Sequence, residues 1–171
     1  LSIDPSLLED IHRHAETLSL EQFHTPEAGR TFLSILAGPG TARTLEAMHR
    51  AHLLEKLVPA FSRVRGLMQF NQYHKYTVDE HSLLAVAKAE ALADHAGVLG
   101  DVYREIKRKD LLHLALLLHD LGKGHEEDHS EVGKRLAEET AARLGFDESD
   151  TRTLVMLVHR HLLMAHTAFR R

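Results

Sequence analysis

Leu111-Leu112-His113-Leu114-Ala115-Leu116-Leu117-Leu118 runs straight into His119-Asp120-Leu121-Gly122-Lys123-Gly124, and this stretch decides the fold. Only His113 interrupts the apolar run, so the helix it predicts is apolar on nearly every side and belongs at the centre of a domain. Asp110 is placed to cap its start, and Gly122 and Gly124 break the chain after it. Adjacent helical residues point about 100° apart. At a helix end, however, an imidazole and a carboxylate can still converge on one ion. A buried helix that carries His119-Asp120 to its tip incurs a desolvation cost, which a bound metal would offset. The plainer alternative is a histidine complementing the helix dipole beside a solvated aspartate.

Outward from this run the helical signals continue. Thr77-Val78-Asp79-Glu80 is a capping box that puts His81 in the first turn of a helix expected to reach about Ala96, with Gly97 as its stop. Asp128-His129-Ser130-Glu131 is a second capping box, opening a helix through Val132, Leu136 and Leu144 to Gly145. Asp147 then caps a last helix carrying Leu154, Leu157, Val158, His161 and Leu162. Upstream, Asp4-Pro5 starts a helix with Leu7, Leu8, Ile11, Ala15 and Leu18 at helical spacing. Thr25-Pro26 starts another with Phe32, Ile35 and Leu36, and Gly38-Pro39-Gly40 ends it. A third begins near Thr41 and carries Leu45, Met48, His52 and Leu53, and Pro59 ends or kinks the segment after it. Phe61 to Tyr76 reads as a partly helical connector. No segment alternates with period two for long, so the expected fold is all-α, with about seven short helices. Residues 1–58 are expected to form an N-terminal helical segment linking to an upstream domain, and residues 59–171 the domain proper, truncated at its C-terminal end.

The chain has 171 residues with 21 Lys+Arg against 25 Asp+Glu, a net charge of −4. No apolar run approaches the ~18 residues that a membrane helix needs. The mild acidity argues against nucleic acid as a partner, since duplex binding calls for a basic face. The absence of cysteine excludes thiolate metal sites, disulfides and cysteine nucleophiles, and suits a cytoplasmic setting. Any metal must therefore use histidine and carboxylate, and the chain holds 15 scattered histidines. Leu1 stands where an initiator Met is expected, which reads as the start of an excised segment.

Two motifs read as decoys. His125-Glu126-Glu127-Asp128-His129 satisfies the H-E-x-x-H pattern of zinc peptidases, yet it follows Gly122-Lys123-Gly124 and overlaps a helix start at Asp128. Glu-x-x-His recurs at Glu9/His12, Glu21/His24, Glu46/His49 and Glu126/His129. The prolines and glycines of the first half nevertheless cut its helices too short for a di-iron bundle. The remaining constellation is His81, His119-Asp120, His129 and His161, all close to expected helix ends.

Tyr73-His74-Lys75-Tyr76-Thr77-Val78-Asp79-Glu80-His81-Ser82-Leu83, Leu118-His119-Asp120-Leu121-Gly122-Lys123-Gly124, Asp128-His129-Ser130-Glu131 and His159-Arg160-His161-Leu162-Leu163-Met164 follow one another in a recognisable order. Together they resemble the HD domain of the bifunctional uridylyltransferase/uridylyl-removing enzymes that modify PII nitrogen-regulatory proteins. His-Asp with Gly-Lys marks the wider HD phosphohydrolase superfamily, whereas Tyr-Thr-Val-Asp-Glu-His and His-Leu-Leu-Met are more specific. The resemblance runs from about Leu45 to Arg171.

It implies an HD-domain helical bundle in which His81, His119 and Asp120 are ligands of a divalent metal ion, with Mn, Mg, Fe and Zn not distinguished. It also implies that His129 and His161 extend the site where a second ion is bound. The activity implied is hydrolysis of the uridylyl-tyrosine phosphodiester of a PII-like protein, releasing UMP. Asp120 would also orient water and Lys123 would contact the phosphate, against the plainer reading of Lys123 as a solvated helix-end lysine. Arg170 and Arg171 are further candidates for substrate contact. The superfamily's closing Asp lies beyond Arg171 on this resemblance, so the ligand shell is expected to be incomplete. The uridylyltransferase motifs are absent from this segment. Alternatives are another HD-type nucleotide phosphohydrolase and a non-catalytic HD regulatory module.

Overall fold

The computed structural model describes residues 4–17, 19–69 and 76–169, without the side chains of residues 5, 7, 8 and 16. Among the described residues there is no strand. The order is α1 (Pro5–Thr17), α2 (Leu20–Phe23), α3 (Pro26–Ala37), α4 (Thr41–Arg50), α5 (Leu54–Leu57), α6 (Phe61–Val64), α7 (Val78–Glu90), a 3-10 turn (Ala91–Asp94), α8 (Val98–Glu105), α9 (Lys109–Leu118), α10 (His129–Leu144), α11 (Glu148–His159) and α12 (Leu163–Phe169).

The all-α expectation holds, with more helices than the seven expected. α2, α5 and α6 are single turns of four residues each, too short to show a periodic pattern. α8 escapes detection for another reason: its aliphatic residues Val98, Leu99 and Val102 face solvent, and its buried side is only Gly100 and Tyr103. α7 stops at Glu90, short of Ala96. There the Glu90 carboxylate accepts from the backbone N–H groups of Gly40, Thr41 and Ala42 and so caps α4 from across the fold. α4 ends at Arg50 because His52 takes a positive φ of 55°, which leaves His52 and Leu53 outside it. Leu18 and residues 70–75 of the expected connector lie outside the described residues.

α9 is the central element and packs on α3, α7, α10 and α11. Leu114, Leu117, Leu118 and Leu121 have no exposed surface. His113 is equally buried: its Nδ1 donates to the Leu36 carbonyl at 2.7 Å, and its Nε2 lies 3.0 Å from the Tyr103 hydroxyl. The interruption in the apolar run is therefore satisfied within the core. Asp110 does not cap α9. Its carboxylate takes Arg108 at 3.0 Å, and Arg108 also reaches Asp150, which ties the starts of α9 and α11 together. The core joins Phe32, Leu36, Leu45 and Leu54 to Val86, Leu114 and Leu154.

Candidate metal centre

The centre is built where α9 ends. Leu121 is fully buried and its N–H bonds to Leu118 O at 3.0 Å, so the helix closes in a tight turn that leaves Asp120 3% exposed. Gly122 is required here: an added Cβ would stand 2.0 Å from the His129 carbonyl oxygen, which is backbone and cannot yield. That close approach sets the α9–α10 turn directly against the first residue of α10. Asp128 caps α10, accepting from Ser130 N at 2.9 Å and Glu131 N at 3.2 Å. The reciprocal half of the expected capping box is not made. Glu131 instead accepts from His159 Nε2 at 2.9 Å, across to the end of α11. α11 itself stops at His159, so His161 and Leu162 occupy the turn before α12. His81 enters from α7, whose capping box at Thr77 and Glu80 forms as read.

These four elements bring His81, His119, Asp120, Lys123, His129 and His161 to one cavity of about 640 Å³. His81 Nε2 and His119 Nε2 are 3.2 Å apart, and they lie 3.5 Å and 3.3 Å from Asp120 Oδ2. Ligands placed tetrahedrally about 2.1 Å from an ion stand about 3.4 Å from one another, so the trio has the spacing of a coordination face. On the other side, His161 Nε2 lies 3.5 Å from Asp120 Oδ1, and His129 joins these two in a second group of metal-capable residues. The Nε2 atoms of His129 and His161 are both buried without a hydrogen-bond partner, a state that a bound cation would relieve.

The tautomers suit the same use. His119 Nδ1 donates to Leu116 O and His161 Nδ1 to Val158 O, each at 2.7 Å, so Nε2 is the ring nitrogen that faces Asp120 and that a bound ion would engage. Burial alone would push the Asp120 carboxyl up. The neighbouring His119, His161 and Lys123 outweigh it and hold the group well below the usual carboxylate range. Lys123 Nζ sits 2.8 Å from Asp120 Oδ2. Burial lowers His161, but the contacts with Asp120 and the Val158 carbonyl prevail and raise it above its ordinary value.

The H-E-x-x-H stretch does not form a helical ligand pair. His125 lies in the irregular loop before α10, and Arg63 Nη1 stands 3.4 Å from both its ring nitrogens. His49 of the Glu46/His49 pair faces Asp79 rather than Glu46. Arg170 and Arg171 lie outside the described residues. Two features went unread in the sequence. Gln69 lines the cavity but sits in a stretch without periodicity. Asp79 hides inside its capping box, where only Thr77 and Glu80 carry the helix-start signal.

A helical bundle with a His-Asp pair at the tip of its central helix, and further histidines at neighbouring helix ends, defines the class: the chain belongs to the HD domain family, whose family model ("HD domain") matches residues 78–169. Its particular relatives are more specific. It is 39% identical over 177 residues to a bifunctional uridylyltransferase/uridylyl-removing enzyme of Azospirillum brasilense, covering 100% of this chain and 19% of that protein. The protein of the same name from Erythrobacter litoralis is 37% identical over 178 residues, again with 100% and 19% covered. That of Rhodopseudomonas palustris is 32% identical over 174 residues, with 98% and 19% covered. The chain thus spans about one fifth of the length of these relatives. Among the described residues no helix is long and apolar enough to cross a membrane.

Proposed function

We propose that this domain is a metal-dependent phosphohydrolase of the uridylyl-removing type. The observation that carries the reading is the convergence of four imidazoles on one buried carboxylate, with two Nε2 atoms left unpartnered. His81, His119 and Asp120 hold one divalent ion, and Asp120, His129 and His161 are placed to hold a second. When bound, such ions supply Lewis acidity toward water and a phosphoryl oxygen. Asp120 orients the attacking water, and Lys123, on the same side of the cavity, contacts the phosphate. The cavity volume is within the range of nucleotide-sized sites.

The relatives' name, together with their whole-chain similarity, supports a uridylylated protein of the PII type as the substrate. Hydrolysis breaks the phosphorus–oxygen bond to the protein's tyrosine, puts the water oxygen on UMP and leaves the tyrosine hydroxyl protonated. The test is Mn²⁺ or Zn²⁺ titration combined with hydrolysis of the nitrophenyl ester of UMP. Asp120→Ala is expected to abolish metal-dependent turnover while leaving the helical circular dichroism largely intact. Full activity in excess chelator, or in Asp120→Ala, would overturn the reading.

A further inference from the structure

We infer that Asp79 is a positioning residue: through His49 and the backbone of Gly66 it fixes the first turn of α7, and thereby the place where His81 meets His119 and Asp120. Asp79 and His81 are two residues apart on one helix, so their side chains diverge by about 200°. His81 faces the cavity and Asp79 faces the interior, where it is 3% exposed. Asp79 Oδ2 accepts from His49 Nε2 at 3.1 Å and from Gly66 N at 3.1 Å. Behind His49 stands Arg65, whose Nη2 lies 3.0 Å from His49 Nδ1 and 2.5 Å from the His49 carbonyl oxygen, and whose Nε pairs with Glu55. Burial and the adjacent Arg65 keep His49 below its ordinary range, which suits a neutral ring donating from Nε2.

The same short segment touches both walls of the site. Val78 N donates to Leu67 O at 3.0 Å, which ties residue 67 to the start of α7. The Leu67 side chain packs against Gly124, one residue after Lys123. A buried network of this kind is a poor source of stability, since apolar residues of similar volume usually serve as well. What it supplies is a fixed place for the α7 start. His119 and His161 are each anchored by an Nδ1 bond to a backbone carbonyl in their own turn. His81 sits in the first turn of α7, so its place in the cavity follows from where that helix begins. Asp79 belongs to neither group able to hold an ion: its Oδ2 faces His49 and Gly66, and its Oδ1, buried without a partner, has no second ligand-capable side chain grouped with it.

The claim about position stands on this geometry, whereas its consequence for ion binding rests on the proposed function. The experiment uses His49→Ala, its conservative counterpart His49→Gln, and Asp79→Ala, each followed by NMR of the histidine rings without metal and then during titration with Zn²⁺ alone. In the metal-free protein the His81–His119 ring contact, with centroids 5.1 Å apart, is expected to disappear in both alanine variants. The His119–His161 contact at 5.3 Å should persist. His49→Gln, which keeps a donor toward Asp79, should restore the first contact. Zn²⁺ affinity should fall about tenfold in the alanine variants, the usual size for loss of a supporting partner. If Asp79→Ala fails to fold, His49→Ala decides the matter. A lower melting temperature with the His81–His119 contact and the Zn²⁺ affinity unchanged would overturn the inference and leave the metal site standing. Wild-type ring signals that ignore Zn²⁺ would instead overturn the metal reading, while loss of the His81–His119 contact in the variants would still carry the positional claim.

Discussion

Asp79 and Asp120 are both 3% exposed and both face histidine, yet they serve different ends. Around Asp79 the donors close in: His49 Nε2 and Gly66 N, each at 3.1 Å, share one oxygen, and the second ring nitrogen of His49 is engaged by Arg65. Around Asp120 three imidazoles stop at 3.3 to 3.5 Å, wider than good hydrogen bonds, and two buried Nε2 atoms in the same cluster have no partner. The first arrangement is closed around Asp79 Oδ2, although Asp79 Oδ1 and Glu55 Oε2 stay buried without partners. The second has the spacing of ligands around something larger than a proton. An Asp–His pair thus declares its use through its distances and through how many ligand-capable side chains converge on it, not through its composition.

The largest effect that would break this contrast comes from Gly122. Any side chain there meets the His129 backbone at 2.0 Å, so Gly122→Ala must push the α9–α10 turn away from α10. Overpacking against backbone costs about 3 kcal/mol. The expected outcome is a clear drop in the urea midpoint together with loss of the His129–His161 ring contact at 5.7 Å, while the His49–Asp79 pair stays formed. A variant of unchanged midpoint would mean that the close approach does not hold the site together.

A smaller effect tests the Asp79 network by pH. Burial would raise Asp79, but the polar surroundings of Thr77, Gly66 and Glu80 and the nearby His49 hold it below its ordinary value. A carboxyl lowered on folding contributes stability that is present above its unfolded pKa, about 3.9, and is lost as pH falls through the folded value. Asp79→Asn should therefore flatten the acid limb of the stability curve below about pH 4. The curve should be unchanged in shape near neutrality, as followed by urea unfolding at stepped pH. An acid limb identical to wild type would show that Asp79 is not ionised against its partners.

The helices that carry the site were legible because each begins with a chemical signal. Thr77, Asp128 and Asp147 mark α7, α10 and α11, and the leucine run marks α9 as the central element. The pairing of His119-Asp120 with His81, His129 and His161 was legible through order and spacing, since all five sit at or near helix ends. α2, α5 and α6 were not legible, since one turn has no period. The α7 boundary was missed because Glu90 bonds to residues 50 positions away, which no local pattern records. Asp79 and His49 were missed for the same reason: they are 30 residues apart, and their pairing depends on how α4 packs on α7.

The smallest expected effect belongs to Glu126. In a zinc peptidase the glutamate of H-E-x-x-H polarises water beside two histidines on a single helix face. Here α10 begins only at His129, Glu126 is an exposed residue in the loop before it, and His125 faces Arg63. His129 shares its metal-capable group with Asp120 and His161, so its partners come from α9 and the end of α11, not from its own motif. An exposed loop substitution away from such partners normally shifts energies by no more than about 0.5 kcal/mol, roughly twofold in binding. Glu126→Gln should therefore leave Zn²⁺ affinity within about twofold of wild type, measured by the same titration that detects the Asp120 change. The contrast with Asp120 is sharp because both carboxylates line one cavity. A loss of about tenfold or more, the size associated with removing a partner of a metal ligand, would place Glu126 in the ion's surroundings and return the peptidase-like motif to consideration.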